Sequence, residues 1–330
     1  MKRTGHEAWG DWRWQLRHAV TEMEPVLREF GLAESEVERV RRRYPFKLTP
    51  YALAQLSRED PSDPLNRLAL PSIAELVQEP GMVADPFGET TCSACCDGLK
   101  QRFPDRVLVM AHDQCALACR HCTRKGLLSG VAVVRTPAQR ASAVAWVKAH
   151  PQVREVILSG GDPLLLSDSR ILPLVKVFAR LPQIDAVRIG TRVPVTLPMR
   201  ITPVLARNLG AFKKVWVNTQ FNHAREITPE ATRACALLVD AGIPVSNQSV
   251  LLKGVNDSVG ALFDLCTGLQ RVRVRPYYVF LCDPVAGIAH FRVTLHTARR
   301  LERELALRIG GLALPRFVQD IPGHLRKTPV

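Results

Sequence analysis

No stretch of this chain approaches the roughly 20 consecutive apolar residues that a membrane-spanning helix needs, so no bilayer span is expected. The N-terminus, "MKRTGHEAWGDWRW", has basic residues but no apolar segment behind them. No secretory signal is therefore expected, and the cytoplasm is the expected compartment. Aromatic residues are few, at 6%. The densest basic run, "RVRRRYPFK" (Arg39 to Lys47), offers only Tyr44 and Phe46 as stacking surfaces, a weak signature for nucleic acid. Acidic residues are short too: 31 against 45 Lys and Arg, a net charge of +14. That balance fits an acidic partner and, more simply, a solvated arginine-rich surface. Repeats and low-complexity segments are absent. Nine cysteines, an odd number without an export signal, read as thiols or metal ligands rather than a disulfide framework. Apolar residues are plentiful, 46% of 330, enough for one large domain or two moderate ones around a sizeable core.

Residues 1–100 read as an N-terminal extension of helices and loops. "WRWQLRHAVTEMEPVLREFGL" has apolar residues at helical spacing up to Gly31, and "DPSDPLNRLALPS" reads as a proline-punctuated connector. From residue 101 the texture changes. Short apolar runs recur at 106–111, 155–160, 186–191, 214–219, 243–252 and 275–281, with helical segments such as "TPAQRASAVAWVKAH" and "TPEATRACALLVDAG" between them. Strands alternating with helices make a parallel sheet, and six such units predict an α/β fold: a partial (β/α)6, TIM-like barrel behind the helical extension. Polar and glycine residues follow these strands, as in "SGGD", "TR", "NTQFNH" and "CD". Sites in parallel α/β folds form at the carboxyl ends of strands, so one mouth of the barrel collects the chemistry.

Just after the first barrel strand stands "AHDQCALACRHCTRK", with Cys115, Cys119 and Cys122 spaced C-x3-C-x2-C. What it lacks is a fourth ligand. A closed zinc or iron–sulfur site takes four. Three thiolates can hold three irons of a [4Fe–4S] cube and leave the fourth iron open to a reactant. That arrangement, in that place, resembles the radical S-adenosylmethionine enzymes. In them the open iron binds S-adenosylmethionine, and one electron from the cluster releases a 5′-deoxyadenosyl radical. "SGGD" (Ser159, Gly160, Gly161 and Asp162) resembles the superfamily's glycine-rich strand end, where exposed backbone groups hold the methionine end of that cofactor.

More of the chain is similar to one branch, the lysine 2,3-aminomutase family. The matching segments run in family order through nearly the whole chain: "WGDWRWQLR", "SDPLNRLALPS", "RFPDRVLVM", "CRHCTRK", "VILSGGDPLL", "VRIGTRVPVTLPMRIT", "NTQFNHAREIT", "NQSVLLKGVND", "VRPYYVFLCD", "HFR" and "PGHLRKTPV". The resemblance implies an isomerase that moves the α-amino group of L-lysine to C3, giving β-lysine. Its implied cofactors are a [4Fe–4S] cluster, S-adenosylmethionine and pyridoxal 5′-phosphate, with a flavodoxin or ferredoxin as electron donor. It implies that Lys327 binds pyridoxal phosphate, whose phosphate and ring lie near Arg102, Phe103, Arg106 and His121; Phe103 stands where tyrosine is frequent. It implies that Gln248 contacts S-adenosylmethionine, that Arg124 pairs with the substrate carboxylate, and that Asp283 and Asp320 receive the ε-ammonium.

Three departures stand out. Gln220 replaces a frequent histidine, so no role is carried onto it. Longer family members continue into a zinc-binding tail that reaches a neighbouring subunit's cysteine. Here three residues follow Lys327, and that cysteine's position is Ser258, so any homo-oligomer is expected without the zinc bridge. "CSACC" (Cys92, Cys95, Cys96) replaces a proline-containing loop. Two other readings stay open: the same chemistry on lysine destined for elongation factor P, and a non-catalytic iron–sulfur or nucleic-acid-binding protein.

Overall fold

The computed structural model describes residues 6–22, 24–89, 98–127 and 136–330. Among the described residues nine strands form one sheet in strict chain order. β1 (Leu99–Phe103) is antiparallel to β2 (Arg106–His112). From β2 the strands run parallel: β3 (Glu155–Gly160), β4 (Ala186–Gly190), β5 (Val215–Thr219), β6 (Val245–Leu251), β7 (Arg275–Leu281) and β8 (Arg316–Gln319). β9 (Thr328–Pro329) closes the order, antiparallel on β8. The six apolar runs became β2 to β7, and the α/β parallel fold stands. Three strands escaped the sequence reading. β8, "RFVQ", is only four residues with a polar residue at each end, and β1 and β9 are edge strands with no apolar run.

Helices Pro137–Ala149, Asp168–Ala179, Pro203–Gly210, Pro229–Asp240, Val259–Arg271 and Leu295–Ala306 fill the connections. Thr136, Thr202 and Thr228 cap three of them, each followed by a proline at the first helical position, where a missing N–H costs nothing. The same device corrects the reading of the connector: Asp63 caps and Pro64 opens a helix, Pro64–Ala69. The helix expected up to Gly31 is two helices, Trp12–Arg17 and Glu24–Phe30. Between them Val20 pairs with Leu48 as a lone antiparallel bridge.

The main core lies between sheet and helices. Val156, Leu158, Val187, Ile189, Val215 and Val217 point outward into it, all at most 3% exposed. The alternate positions, among them Ile157, Ser159, Arg188 and Gln248, are only half-buried, so they face the inside of the curl. Curvature follows from one contact. β1 and β8 are seven strand steps apart, about 34 Å in a flat sheet at ~4.8 Å per step. Yet Arg102 of β1 donates to Asp320, just past β8, at 2.8 Å. The sheet has rolled until side chains of its two ends meet. No helix among the described residues is long and apolar enough to cross a membrane.

Candidate active site

The cysteine loop leaves β2 without regular secondary structure, so its shape depends on borrowed hydrogen bonds. Ala118 N donates to Lys47 O and Arg120 N to Leu68 O, both at 3.0 Å, which fixes the loop to the N-terminal extension. Gly161 N donates to His112 O at 2.6 Å and Asp162 N to Gln114 O at 2.7 Å. Gly160 has φ +127, and a Cβ on it would stand 2.2 Å from His112 O; one on Gly161 would stand 2.3 Å from Gln114 O. Only glycine permits this approach. Two of the N–H groups of "SGGD", those of Gly161 and Asp162, are spent on seating the cysteine loop. His112 Nδ1 accepts from Gln114 N, so the proton sits on Nε2, which donates to Asp162 O at 2.5 Å.

Cys115, Cys119 and Cys122 are free, half-buried thiols. Burial pushes the Cys115 and Cys122 thiols up, and charge on Cys119 pushes both further, so the sulfurs lie within electrostatic reach of one another. Cations surround them. Arg192 Nη1 donates to Cys119 Sγ at 2.7 Å, Lys47 faces Cys115, and Arg124 and Lys125 face Cys122. Among the described residues no three His, Cys, Asp or Glu side chains converge as ligands of a single metal ion. A cubane cluster asks something different, one thiolate on each of three irons. Three half-buried thiols among four cations suit an anionic thiolate-bound cluster, because metal centres and cations together offset the burial penalty.

Arg192, at the carboxyl end of β4, is gripped from behind. It donates to Glu226 and, at 3.0 Å, to Gln220 O. Asp162 is buried and accepts from Thr191 Oγ1 at 2.6 Å, Arg192 N at 2.7 Å and Leu164 N at 3.1 Å, tying β3 to β4. Burial raises its carboxyl above the usual range, although these donors oppose that.

Beneath the loop lies a dry ionic triad. Glu75 is bound by Arg120, with Nε at 2.9 Å, and by Lys125 at 2.5 Å; the three side chains are 0–2% exposed. Lys125 also donates to Arg120 O and Gly287 O. Burial pushes Lys125 down to about 8, whereas the two cations outweigh burial at Glu75 and hold it below its ordinary value. Removing one partner from such a group costs ~3–5 kcal/mol, because a charge is left buried and unpaired. Glu75→Gln should therefore lower the denaturation midpoint sharply and reduce iron retained per chain.

Where the sheet ends meet stand Lys327, Asp320, Arg102 and Asp283. Lys327 Nζ is ion-paired with Asp320 Oδ2, and Arg102 grips the same carboxylate at 2.8 and 3.3 Å. Burial lowers Lys327 below its ordinary value, only partly offset by Asp320. Burial opposes ionisation of Asp320, but Lys327 and Arg102 prevail and hold it low. Asp283 is pushed up to about 7, first by burial and then by Asp320. The Lys327 ammonium lies 4.9 Å from the Phe280 ring and 5.7 Å from the Phe103 ring. Arg106 stacks on Phe103 at 3.9 Å while bonding Asp105 at 3.1 Å. A lysine of lowered pKa near Arg102, with Arg106 against the neighbouring Phe103 ring, is chemically suited to an aldehyde cofactor bearing a phosphate.

The remaining sequence candidates are dispersed. His121 is buried, with Nε2 3.1 Å from Asn222 Nδ2 and 3.4 Å from Gln220 Nε2; its Nδ1 has no hydrogen-bond partner among the described residues. Gln248 stands opposite Tyr278 at a register irregularity in β6. Arg124 does not stand free: Glu89 fills its fork at 2.6 and 2.7 Å. Ser258 caps helix Val259–Arg271. Cys92, Cys95 and Cys96 lie outside the described residues. Sequence reasoning missed Glu75, Glu89, Arg192 and Glu226. Only Arg192 carried a signal, its place in "TR" after a strand.

The family profile described as the radical SAM superfamily matches residues 111–266. An L-lysine 2,3-aminomutase from Clostridium subterminale is 42% identical over 98% of this chain and 78% of its own length. A glutamate 2,3-aminomutase from Clostridioides difficile is 32% identical over 98% of this chain and 77% of its own length. The crystal structure of Streptococcus suis SuiB bound to S-adenosylmethionine shares the fold, with a TM-score of 0.50 and 16% identity over 66% of this chain and 51% of that one. With the cysteine loop at a barrel mouth and near-full-length identity of this size, the chain belongs to the lysine 2,3-aminomutase family of radical S-adenosylmethionine isomerases.

Proposed function

We propose that this enzyme converts L-lysine to β-lysine, with Cys115, Cys119 and Cys122 holding a [4Fe–4S] cluster, Lys327 holding pyridoxal phosphate, and Arg102, Phe103, Arg106 and His121 around that cofactor. When bound, these groups and S-adenosylmethionine supply the radical and the delocalised system on which nitrogen migrates. Ser159, Gly160, Gly161, Asp162 and Gln248 line the strand ends and inner face assigned to S-adenosylmethionine. The observation that carries the substrate assignment is Asp283. Its carboxyl is mostly covered, raised to about 7, and beside a second carboxylate. Such a group gains most from an incoming cation. Asp320 is held at present by Lys327 and Arg102. Both are assigned to cofactor, and engaged elsewhere they free its two oxygens to join Asp283 around an ε-ammonium. Arg124 is assigned the opposite pole, the α-carboxylate.

The test is anaerobic reconstitution with iron, sulfide and pyridoxal phosphate, then incubation with L-lysine, S-adenosylmethionine and a reductant, reading out β-lysine. Borohydride should trap pyridoxal phosphate on Lys327. An adduct on Lys125, whose pKa is also low, would overturn the assignment. Lys125 is committed to Glu75 and 2% exposed, so no such adduct is expected.

A further inference from the structure

Arg124 meets another carboxylate before any substrate arrives. Its Nε and Nη2 donate to the two oxygens of Glu89 at 2.6 and 2.7 Å, and the side chains are only 19% and 12% exposed. The remaining nitrogen reaches Ser159 Oγ and Gly160 O at 3.4 and 3.5 Å, long contacts that leave its position loosely held. A planar guanidinium has two bidentate edges: Glu89 holds the Nε/Nη2 edge, and Nη1 of the other edge is turned toward Ser159 Oγ and Gly160 O. A second carboxylate crowded into the same covered site would be repelled by the first.

The segment that carries Glu89 touches the other pole as well. Val83 N donates to Pro284 O at 3.1 Å and Ala286 N donates to Val83 O at 2.9 Å, one and three residues beyond Asp283. Phe87 lies under the Arg102 guanidinium at 4.1 Å. Glu89 is itself fixed by donating its N–H to Asp85 at 2.9 Å. Residues 83–89 thus strap the loop after Asp283 to Arg102 and on to Arg124. Those are the ammonium, cofactor and carboxylate poles of the proposed site, between which an α-amino acid with a distal ammonium must lie.

We propose that Glu89 is an internal stand-in for the substrate carboxylate: it fills the Arg124 fork in the empty enzyme, and the amino acid binds by displacing it. The inference rests on the reading of Arg124 given above. Glu89 then sets how tightly carboxylate-bearing substrates bind, since each must first overcome the internal pair.

Equilibrium dialysis with labelled L-lysine, on protein loaded with cluster and pyridoxal phosphate but without S-adenosylmethionine, measures binding apart from turnover. Glu89→Ala should tighten lysine binding about tenfold, and Glu89→Gln by less, because the amide still occupies the fork without the charge. 1,5-Diaminopentane, which keeps both amines and lacks the carboxylate, should bind wild type and both variants equally. Glu89→Ala in an Arg124→Ala background should bring no gain. Weaker lysine binding in Glu89→Ala, or equal gains for lysine and diaminopentane, would overturn the proposal and make Glu89 a support for Arg124. Unchanged binding in Glu89→Ala alongside loss in Arg124→Ala would overturn it too. Unchanged lysine binding in Arg124→Ala would instead overturn the assignment on which it rests. Glu89→Gln, nearly isosteric, keeps the test valid if the alanine variant does not fold.

Discussion

Cys119→Ala should form no 5′-deoxyadenosine above background after reconstitution, and Cys115→Ala and Cys122→Ala should behave alike. On the proposed assignment three protein thiolates serve three irons, and no fourth cysteine stands in the described loop to replace a lost one. The loop itself should survive the change. It is held by Lys47 O, Leu68 O and the Glu75 triad rather than by sulfur, so the alanine variants should keep the wild-type fold by circular dichroism while losing the visible absorption of the cluster. Cys119 adds a second readout. Its sulfur accepts from Arg192 at 2.7 Å, and hydrogen bonds to cluster sulfurs shift reduction potential. Turnover by Cys119→Ala at the wild-type rate would remove the cluster assignment outright.

Asp283→Asn and Asp320→Asn should each reduce lysine use by roughly 30-fold or more, since truncating one member of a buried charge pair costs ~2–5 kcal/mol. At an effective dielectric near 20, a charge pair at ~4 Å is worth roughly 4 kcal/mol before desolvation is subtracted. The pH dependence has a definite sign. Asp283 sits at about 7 in the empty site, so it is largely protonated below that pH and an ammonium gains little there. Apparent affinity for lysine should rise as pH increases through about 7, and Asp283→Asn should flatten that step. Glutamate should be a poor substrate, its distal carboxylate meeting two like charges, and alanine poor because it leaves both carboxylates without a partner. Arginine is the close competitor, because a guanidinium can bridge two carboxylates. Turnover of lysine, arginine, ornithine, glutamate and alanine by wild type and both variants decides the point. Glutamate outrunning lysine, or lysine indifferent to both changes, would end the lysine assignment and leave the radical chemistry standing.

Much of this protein was legible in one dimension because the relevant signals are local. Six apolar runs marked six parallel strands, since a strand packed against helices must be apolar wherever it faces them. The segments "TPAQRASAVAWVKAH" and "TPEATRACALLVDAG" became helices Pro137–Ala149 and Pro229–Asp240, their starts settled by Thr caps and prolines within four residues. The cysteine loop was legible because C-x3-C-x2-C carries all three proposed ligands on one short segment. What only the tertiary structure decided were pairings between residues far apart in the chain. Glu75 meets Arg120 and Lys125 across at least 45 positions, and Arg102 meets Asp320 across 218. Neither follows from any local pattern, because both depend on how far the sheet curls and where the N-terminal extension lies against it. The glycines of "SGGD" show the same division. Their identity was plain, but their use was set by the backbone of residues 112–114, some fifty positions away, which came close enough to leave no room for a Cβ. Glu89 was unremarkable in the sequence because a carboxylate's partner is chosen in space, and here that partner is Arg124, 35 positions away.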